Sequence, residues 1–403
     1  MITDIRLRSQ QLVNPAFDNP KELVAWMGAL QGQEYNMAKW AVGLRLKKPD
    51  IRKVEMALEK GEILRTHVLR PTWHLVVAED IRWMLKLSAK RVKLAYDSYW
   101  KNHGISEELY IRSHDVIVRA LEGNRYLTRQ EIGEELNRAG VIVGDDLVKY
   151  LLGRAEVDGL VCNGVDKGSK RTYALLDERV PPMKELHKEE ALAKLAIKYF
   201  RSHSPASLQD FIWWSGLSIT EAKQAVGLID SELITEKIGE TDWLIHESCA
   251  RKARTKRVLH LLPSYDEYLI SYKDRSMALE PEYYRKAFNS FGIFYLVILY
   301  NGKIVGNWNK SAKKKPFGLE SSFFIPGINV DEGELGFYHP KKWRKLIELD
   351  PIFAIEDAFV GTGVDMTKKS QILREWLNKN IIIDDETGMR IMMDGLVEIT
   401  DLN

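Results

Sequence analysis

Two cysteines in 403 residues, Cys162 and Cys249, are too few for a disulfide framework or a cysteine-rich zinc site. Both read as reduced thiols of a cytoplasmic protein. Histidine does not fill the gap: His103, His203 and His246 lack ligand spacing, so neither a metal nor a cofactor is expected. No window reaches the ~18 uninterrupted apolar residues that a membrane span needs. The N-terminus has no cationic segment followed by an apolar core, so no secretion signal is expected. Low-complexity tracts that would mark a long disordered region are missing as well. An excess of one charge is also missing: 59 Lys and Arg stand against 57 Asp and Glu, and a net charge of +2 says little about partners.

What is present is an ordinary globular composition, 45% apolar with 11 Trp, in a chain long enough for about two to four modules. The distribution of charge is more telling than its sum. Residues 251–320 hold 14 Lys and Arg against 6 Asp and Glu. They are densest at Arg251, Lys252, Arg254, Lys256 and Arg257 and again at Lys313, Lys314 and Lys315. A basic face on a near-neutral protein suits phosphate, although either cluster alone reads equally well as solvated loop charge.

One pattern recurs along the chain. Leu23, Met27, Leu30, Met37, Ala41 and Leu44 follow the helical period across residues 22–46, with Asn19-Pro20 as a helix start. A short helix over 51–60 closes at Gly61, two strands surround Arg70-Pro71, and residues 79–98 return to helix. The second copy opens on a capping box, Thr128 with Glu131, continues through a helix over 144–158, and ends in a hairpin with its tip at 166–170. A third begins at Ser207 and caps again at Ser218 with Glu221. Helix, helix, hairpin, three times over, predicts tandem winged helix-turn-helix units.

From 258 the texture changes to short apolar runs, with Asn301-Gly302 as a two-residue hairpin turn. The expected fold is therefore α+β: units over 1–110, 111–182 and 183–257, then a small β-rich module and tail over 258–403.

Gln31 and Gln33 head the residues with chemical potential. On a regular helix, side chains two apart do not face each other, so a shared site requires the backbone to bend or end there; Gly32 between them permits close backbone approach. Each amide offers an acceptor and a donor, enough to hold a water, though an isolated Gln-X-Gln is far more often the polar edge of a buried helix. Arg70, Thr72 and His74 alternate and would share one strand face; they read equally as a phosphate grip or as a polar strand face with a hydrogen-bonded histidine. Tyr35 reads as a base-stacking or a packing residue. Adjacent Asp266 and Glu267, on a strand, cannot both face one site, which argues against a paired-carboxylate mechanism. With Lys273, Asp274 and Arg275 they read as a structural ion-pair network. Trp213 and Trp214 read as core.

These segments resemble the AlkZ/YcaQ-like DNA glycosylases. The likeness rests on Gln31-X-Gln33, on Tyr35 and Trp40-Ala41-Val42-Gly43-Leu44-Arg45, and on Arg70-X-Thr72-X-His74. It continues through Tyr173-Ala174-Leu175-Leu176, Phe211-Ile212-Trp213-Trp214-Ser215-Gly216-Leu217 and Leu262-Pro263-Ser264-Tyr265-Asp266-Glu267-Tyr268-Leu269, in order across residues 5–310. The one departure is Gly32, where the family usually has a larger residue. The resemblance implies a monofunctional glycosylase for N7-alkylated or cross-linked purines, with Gln31 and Gln33 catalytic. It implies double-stranded DNA as partner and Tyr35, Arg70, Thr72 and His74 near the substrate. Backbone contacts are expected from Lys167, Lys170 and Arg171 on a wing and from Arg251, Lys252 and Arg254. A monomer close to the nucleoid is expected. The alternative is a non-enzymatic winged-helix regulator. Against it, the 144–158 helix mixes Asp145, Asp146, Glu156 and Asp158 with Lys149 and Arg154, which does not suit groove reading.

Overall fold

The computed structural model describes residues 2–102, 105–249, 258–311 and 318–325. After α1 (Ile2–Ser9), α2 (Pro20–Met27) starts where the sequence signals it: the Asn19 side chain accepts the Lys21 amide at 2.8 Å and Pro20 needs no acceptor. The long helix expected over 22–46 does not form as one piece. Gly28 takes φ +80° and closes α2 on the Val24 carbonyl. A two-residue strand β1 (Leu30–Gln31) follows before α3 (Tyr35–Leu44). The helical period survives across the break because both helices bury their stripe in the same core. Next come α4 (Ile51–Glu59), capped by Asp50, and strands β2 (Ile63–His67) and β3 (Trp73–Val77). They form a three-stranded antiparallel sheet in the order β1-β3-β2.

The 25-residue helix α5 (Ala78–Asn102) leads to α6 (Glu107–Leu121), β4 (Leu127–Thr128), α7 (Arg129–Arg138), α8 (Asp145–Val157), β5 (Val161–Asn163), β6 (Thr172–Leu175) and the short α9 (Leu176–Arg179). The Thr128–Glu131 capping box forms as read from the sequence. So does the one at Ser218 and Glu221. The third segment contains α10 (Lys188–His203), α11 (Leu208–Ser215), α12 (Ile219–Gly227) and the hairpin β7 (Leu233–Ile238) and β8 (Thr241–His246). A four-stranded antiparallel sheet completes the described chain. It consists of β9 (Leu259–Leu262), β10 (Val297–Tyr300), β11 (Lys303–Ser311) and β12 (Gly318–Phe323), with the short helices α13 (Glu267–Ile270) and α14 (Tyr284–Ala287) between β9 and β10. Asn301-Gly302 is the β10–β11 turn, as expected. The fold is α+β, its described sheets all antiparallel. The tail beyond 325 and residues 250–257, with Arg251, Lys252 and Arg254, lie outside the described residues.

The first sheet is sandwiched. One face, with Leu30, Ile63, Leu75 and Val77, shares a core with the final module, including Leu262, Tyr268 and Trp308. The other, with Leu64 and Val76, packs on α5 and on α10–α12 through Tyr199, Phe200 and Trp214. A third core lies within residues 92–175. The last module is tied down by a buried ion pair, in which Arg45 reaches both Asp266 oxygens at 2.8 and 2.9 Å with both side chains essentially inaccessible. Removing one charge strands the other in low dielectric. Asp266→Asn should therefore cost about 3–5 kcal/mol in urea unfolding, and a double variant replacing both residues by apolar ones should regain much of it. An unchanged midpoint for Asp266→Asn would show the pair to be dispensable.

Candidate active site

The strand register builds the site. Gln31 pairs with His74 and His74 with Thr66, so one row crosses all three strands of the first sheet. Residues facing each other on adjacent strands project from the same side. Here it is the side of Leu64 and Val76, turned toward α10 and α11. Because β1 is extended rather than helical, the helical objection to an i, i+2 pair does not apply here; Gln33 follows two residues on, in a bend just beyond the strand. The residue between them passes close over β3. Gly32 donates to the Trp73 carbonyl at 2.7 Å, and a Cβ there would lie 3.3 Å from that oxygen and from the His74 backbone. This explains a glycine where the resemblance led one to expect a larger residue.

Two charged side chains fix the segment. Arg65, stacked on Trp73 at 4.3 Å, donates to the Gly32 carbonyl at 2.7 Å and the Gln33 carbonyl at 3.2 Å. Glu267 accepts the Gln31 backbone N–H at 2.5 Å. The amide groups themselves are left over. Gln31 Oε1, both amide atoms of Gln33, Thr66 Oγ1, Thr72 Oγ1, Arg70 Nε and Nη2, and His74 Nε2 are buried with no hydrogen-bond partner among the described residues. A buried unsatisfied group costs about 1–3 kcal/mol, so a cluster of them is a store of unused polar capacity of the kind found at functional sites.

Comparison with known proteins settles what kind of protein carries this cluster. A family model described as "DNA glycosylase AlkZ-like" matches residues 24–323. The chain belongs to the AlkZ-like DNA glycosylase family. It is 23% identical over 325 residues to the interstrand DNA cross-link repair glycosylase of Streptomyces sahachiroi, across 75% of this chain and 85% of that one. The solved Streptomyces sahachiroi DNA glycosylase AlkZ has the same fold, with a TM-score of 0.71 at 20% identity over 86% of this chain and 95% of that one.

In this AlkZ-like chain several expected residues sit differently from their sequence reading. Arg70 and Thr72 are not on the strand, which begins only at Trp73; they belong to a turn in which Leu69 has φ +66° and Pro71 prevents continuous pairing. Only His74 lies on β3, so the three share a neighbourhood rather than a strand face. His74 Nδ1 donates to the Thr72 carbonyl at 3.0 Å, and burial, reinforced by the Arg70 charge, pushes its pKa down to about 3. The imidazole is neutral, its Nε2 an acceptor. Asp266 and Glu267 lie at the start of α13 instead of on a strand, Asp266 capping it through the Tyr268 amide at 2.9 Å. Trp214 is core, but Trp213 is only half-buried, with Lys273, Arg275 and Arg70 at 4.9, 5.4 and 6.0 Å from its ring.

Tyr35 opens α3 directly after the motif, and its side chain lies close enough to Asp166, between β5 and β6, for the two to interact. The wing thus folds back onto the site. Lys170 is exposed and Arg171 half-buried near Tyr35, whereas Lys167 is engaged with Glu131 at 2.8 Å. The residue reading missed Arg65, Glu156 and the role of Glu267. Glu156 of α8 is buried against His67 and accepts from Trp73 Nε1 at 3.1 Å. For Arg65, a charge in the middle of an apolar strand was the available signal.

Neutral buried histidines leave a pH signature. His74 and His260, the latter bonded to the Leu12 carbonyl and held at about 4 by burial, both take protons near 6.5 when free of the fold. The unfolded chain then binds more protons below pH 6.5, so stability is full above that value and declines toward acid. Urea unfolding should show a loss on the order of 1–2 kcal/mol per histidine between pH 7 and pH 5. A flat profile across that window would mean that both rings stay protonatable in the native state.

Proposed function

We propose that this chain is a monofunctional DNA glycosylase that removes purines alkylated at N7, cross-linked ones included, from double-stranded DNA. The name of the Streptomyces relative supports the cross-link part of this reading. The observation that carries the mechanism is the pair of covered amides: Gln31 and Gln33 are 5% and 2% exposed, both carry side-chain atoms without a partner among the described residues, and Gln31 lies in register with a neutral His74. An N7-alkylated purine is already cationic, so its glycosidic bond can break with the electron pair going to N9 and no strong acid. What the protein must supply is a water aimed at C1′ and a stable place for the oxocarbenium ion. Amide carbonyls can accept both water hydrogens and leave an oxygen lone pair free to attack. Covered amides suit a water held beneath the deoxyribose better than recognition of an extruded base.

The helices do not favour a sequence-reading regulator. α8 is turned inward, with Glu156 against the first sheet, and Glu221 near the start of α12 is tied to Lys188 and Arg91 at 2.9 and 3.4 Å. The direct test is duplex DNA carrying an N7-alkylated guanine, scored for abasic sites; tight sequence-specific binding without excision would overturn the proposal.

Replacing both amides, Gln31→Ala with Gln33→Ala, should slow excision by roughly 10²-fold or more while duplex affinity, dominated by phosphate contacts, changes little. Equal loss of binding, excision and thermal stability would instead assign the pair a structural part. Charge reversal at Lys167, Lys170 and Arg171 should weaken duplex binding and flatten its dependence on salt, by about one counterion per lost phosphate contact. Lys167 must first release Glu131, so Lys170 and Arg171 should carry most of the change. An unaltered salt slope would remove the wing from the interface.

A further inference from the structure

The proposed reaction passes through a cation, and none of the amides just described carries a charge to oppose it. We infer that Glu267 supplies that charge: its carboxylate, held against the Gln31 backbone inside the cluster, stabilises the oxocarbenium ion formed on the deoxyribose. This rests on the glycosylase reading and adds to it a residue that acts on the sugar rather than on water.

The geometry supports the assignment in three ways. Glu267 is 1% exposed and lies at the edge of the amide row, with one oxygen on the Gln31 N–H at 2.5 Å and the other on the Ser271 hydroxyl. Its partners there are neutral dipoles, and among the described residues no Lys or Arg forms a salt bridge with it. Its neighbour Asp266, by contrast, is neutralised by Arg45 at 2.8 Å. The imidazole of His203, 3.6 Å away, is kept from protonating by complete burial. Arg70 acts on Glu267 from a greater distance and leaves two of its own nitrogens without a partner. Burial alone would push the Glu267 carboxyl up; the Gln31 amide and the Ser271 hydroxyl, both donating to it, act against burial and favour the carboxylate. These donors favour the ionised carboxylate in a site of low dielectric, where a fixed charge acts most strongly on charge developing nearby.

A charge can be separated from a scaffold by pairing two ligands of similar shape, one charged and one neutral. The probes are duplexes with a single abasic analogue: a pyrrolidine nucleotide, cationic at neutral pH, or the uncharged tetrahydrofuran nucleotide. The wild type should bind the cationic duplex about tenfold or more tightly than the neutral one. Glu267→Gln keeps an acceptor for the Gln31 amide but loses the charge. It should abolish that preference, slow single-turnover excision by roughly 10²-fold, and leave binding of the tetrahydrofuran duplex unchanged. Glu267→Asp keeps the charge but draws it back, and should retain part of the preference. A wild type without the preference overturns the inference even if neither variant folds. So does a Glu267→Gln variant that keeps the preference, or one that weakens both duplexes alike. If the wild type excises and Glu267→Gln excises as fast, the role of Glu267 fails while the glycosylase reading stands. If the wild type neither excises nor prefers the cation, both fail.

Discussion

Two adjacent carboxylates at the start of α13 hold the last module to the first, and most of the site depends on that grip. Asp266 faces Arg45 at the C-terminal end of α3, and Glu267 faces the backbone of Gln31 in β1. Asp266 caps the short helix α13 and Glu267 opens it, and the two side chains meet two different elements. One fixes the helix that follows the Gln motif, the other fixes the motif itself. Arg65 completes the hold from β2 through the Gly32 and Gln33 carbonyls. A two-residue edge strand would fray by itself; here its backbone is secured on three sides, which leaves its side chains free of structural duty.

The electrostatics of the cluster follow from burial. His74 is neutral because its ring is enclosed and near Arg70. Glu267 accepts from the Gln31 amide and the Ser271 hydroxyl, donors that favour its ionised form. A neutral acceptor, two amides and a buried carboxylate, with the Arg70 guanidinium farther off, suit a cationic reaction centre better than the protonation of a leaving group. That combination matches the proposed chemistry, in which the lesion itself provides the activation.

The second and third segments act as buttresses as well as modules. Glu156 of α8 supports His67 and Trp73 at the end of the β2–β3 hairpin, and Trp73 in turn supports Arg65. Asp166 of the wing meets Tyr35 next to the motif. From the other side, α10 contributes Tyr199 and His203, and Tyr199 reaches the Ser271 carbonyl at 3.2 Å. Damage to the packing of either segment would thus reach the amides without touching them.

Much of this was legible in the residues alone. Capping boxes at Thr128 and Ser218, the Asn301-Gly302 turn and the change to short apolar runs after 258 are local signals, because a cap or a turn is decided by a few neighbouring side chains. The Gln-X-Gln resemblance identified the family and the motif. Three things were beyond local reading. The break after Gly28 was hidden because α2 and α3 bury their apolar stripe in one core, so the helical period runs on across a strand. Asp266 and Glu267 could not be told apart, since only Arg45 and the Gln31 amide, more than two hundred residues away, give them different partners. The joining of Gln31, Thr66, His74 and Glu267 is a matter of strand register and module packing. The sequence by itself determined the elements, their caps and the polar residues available for chemistry. Only the tertiary structure decided which of those residues meet and which keep their charge, because burial and long-range pairing set both.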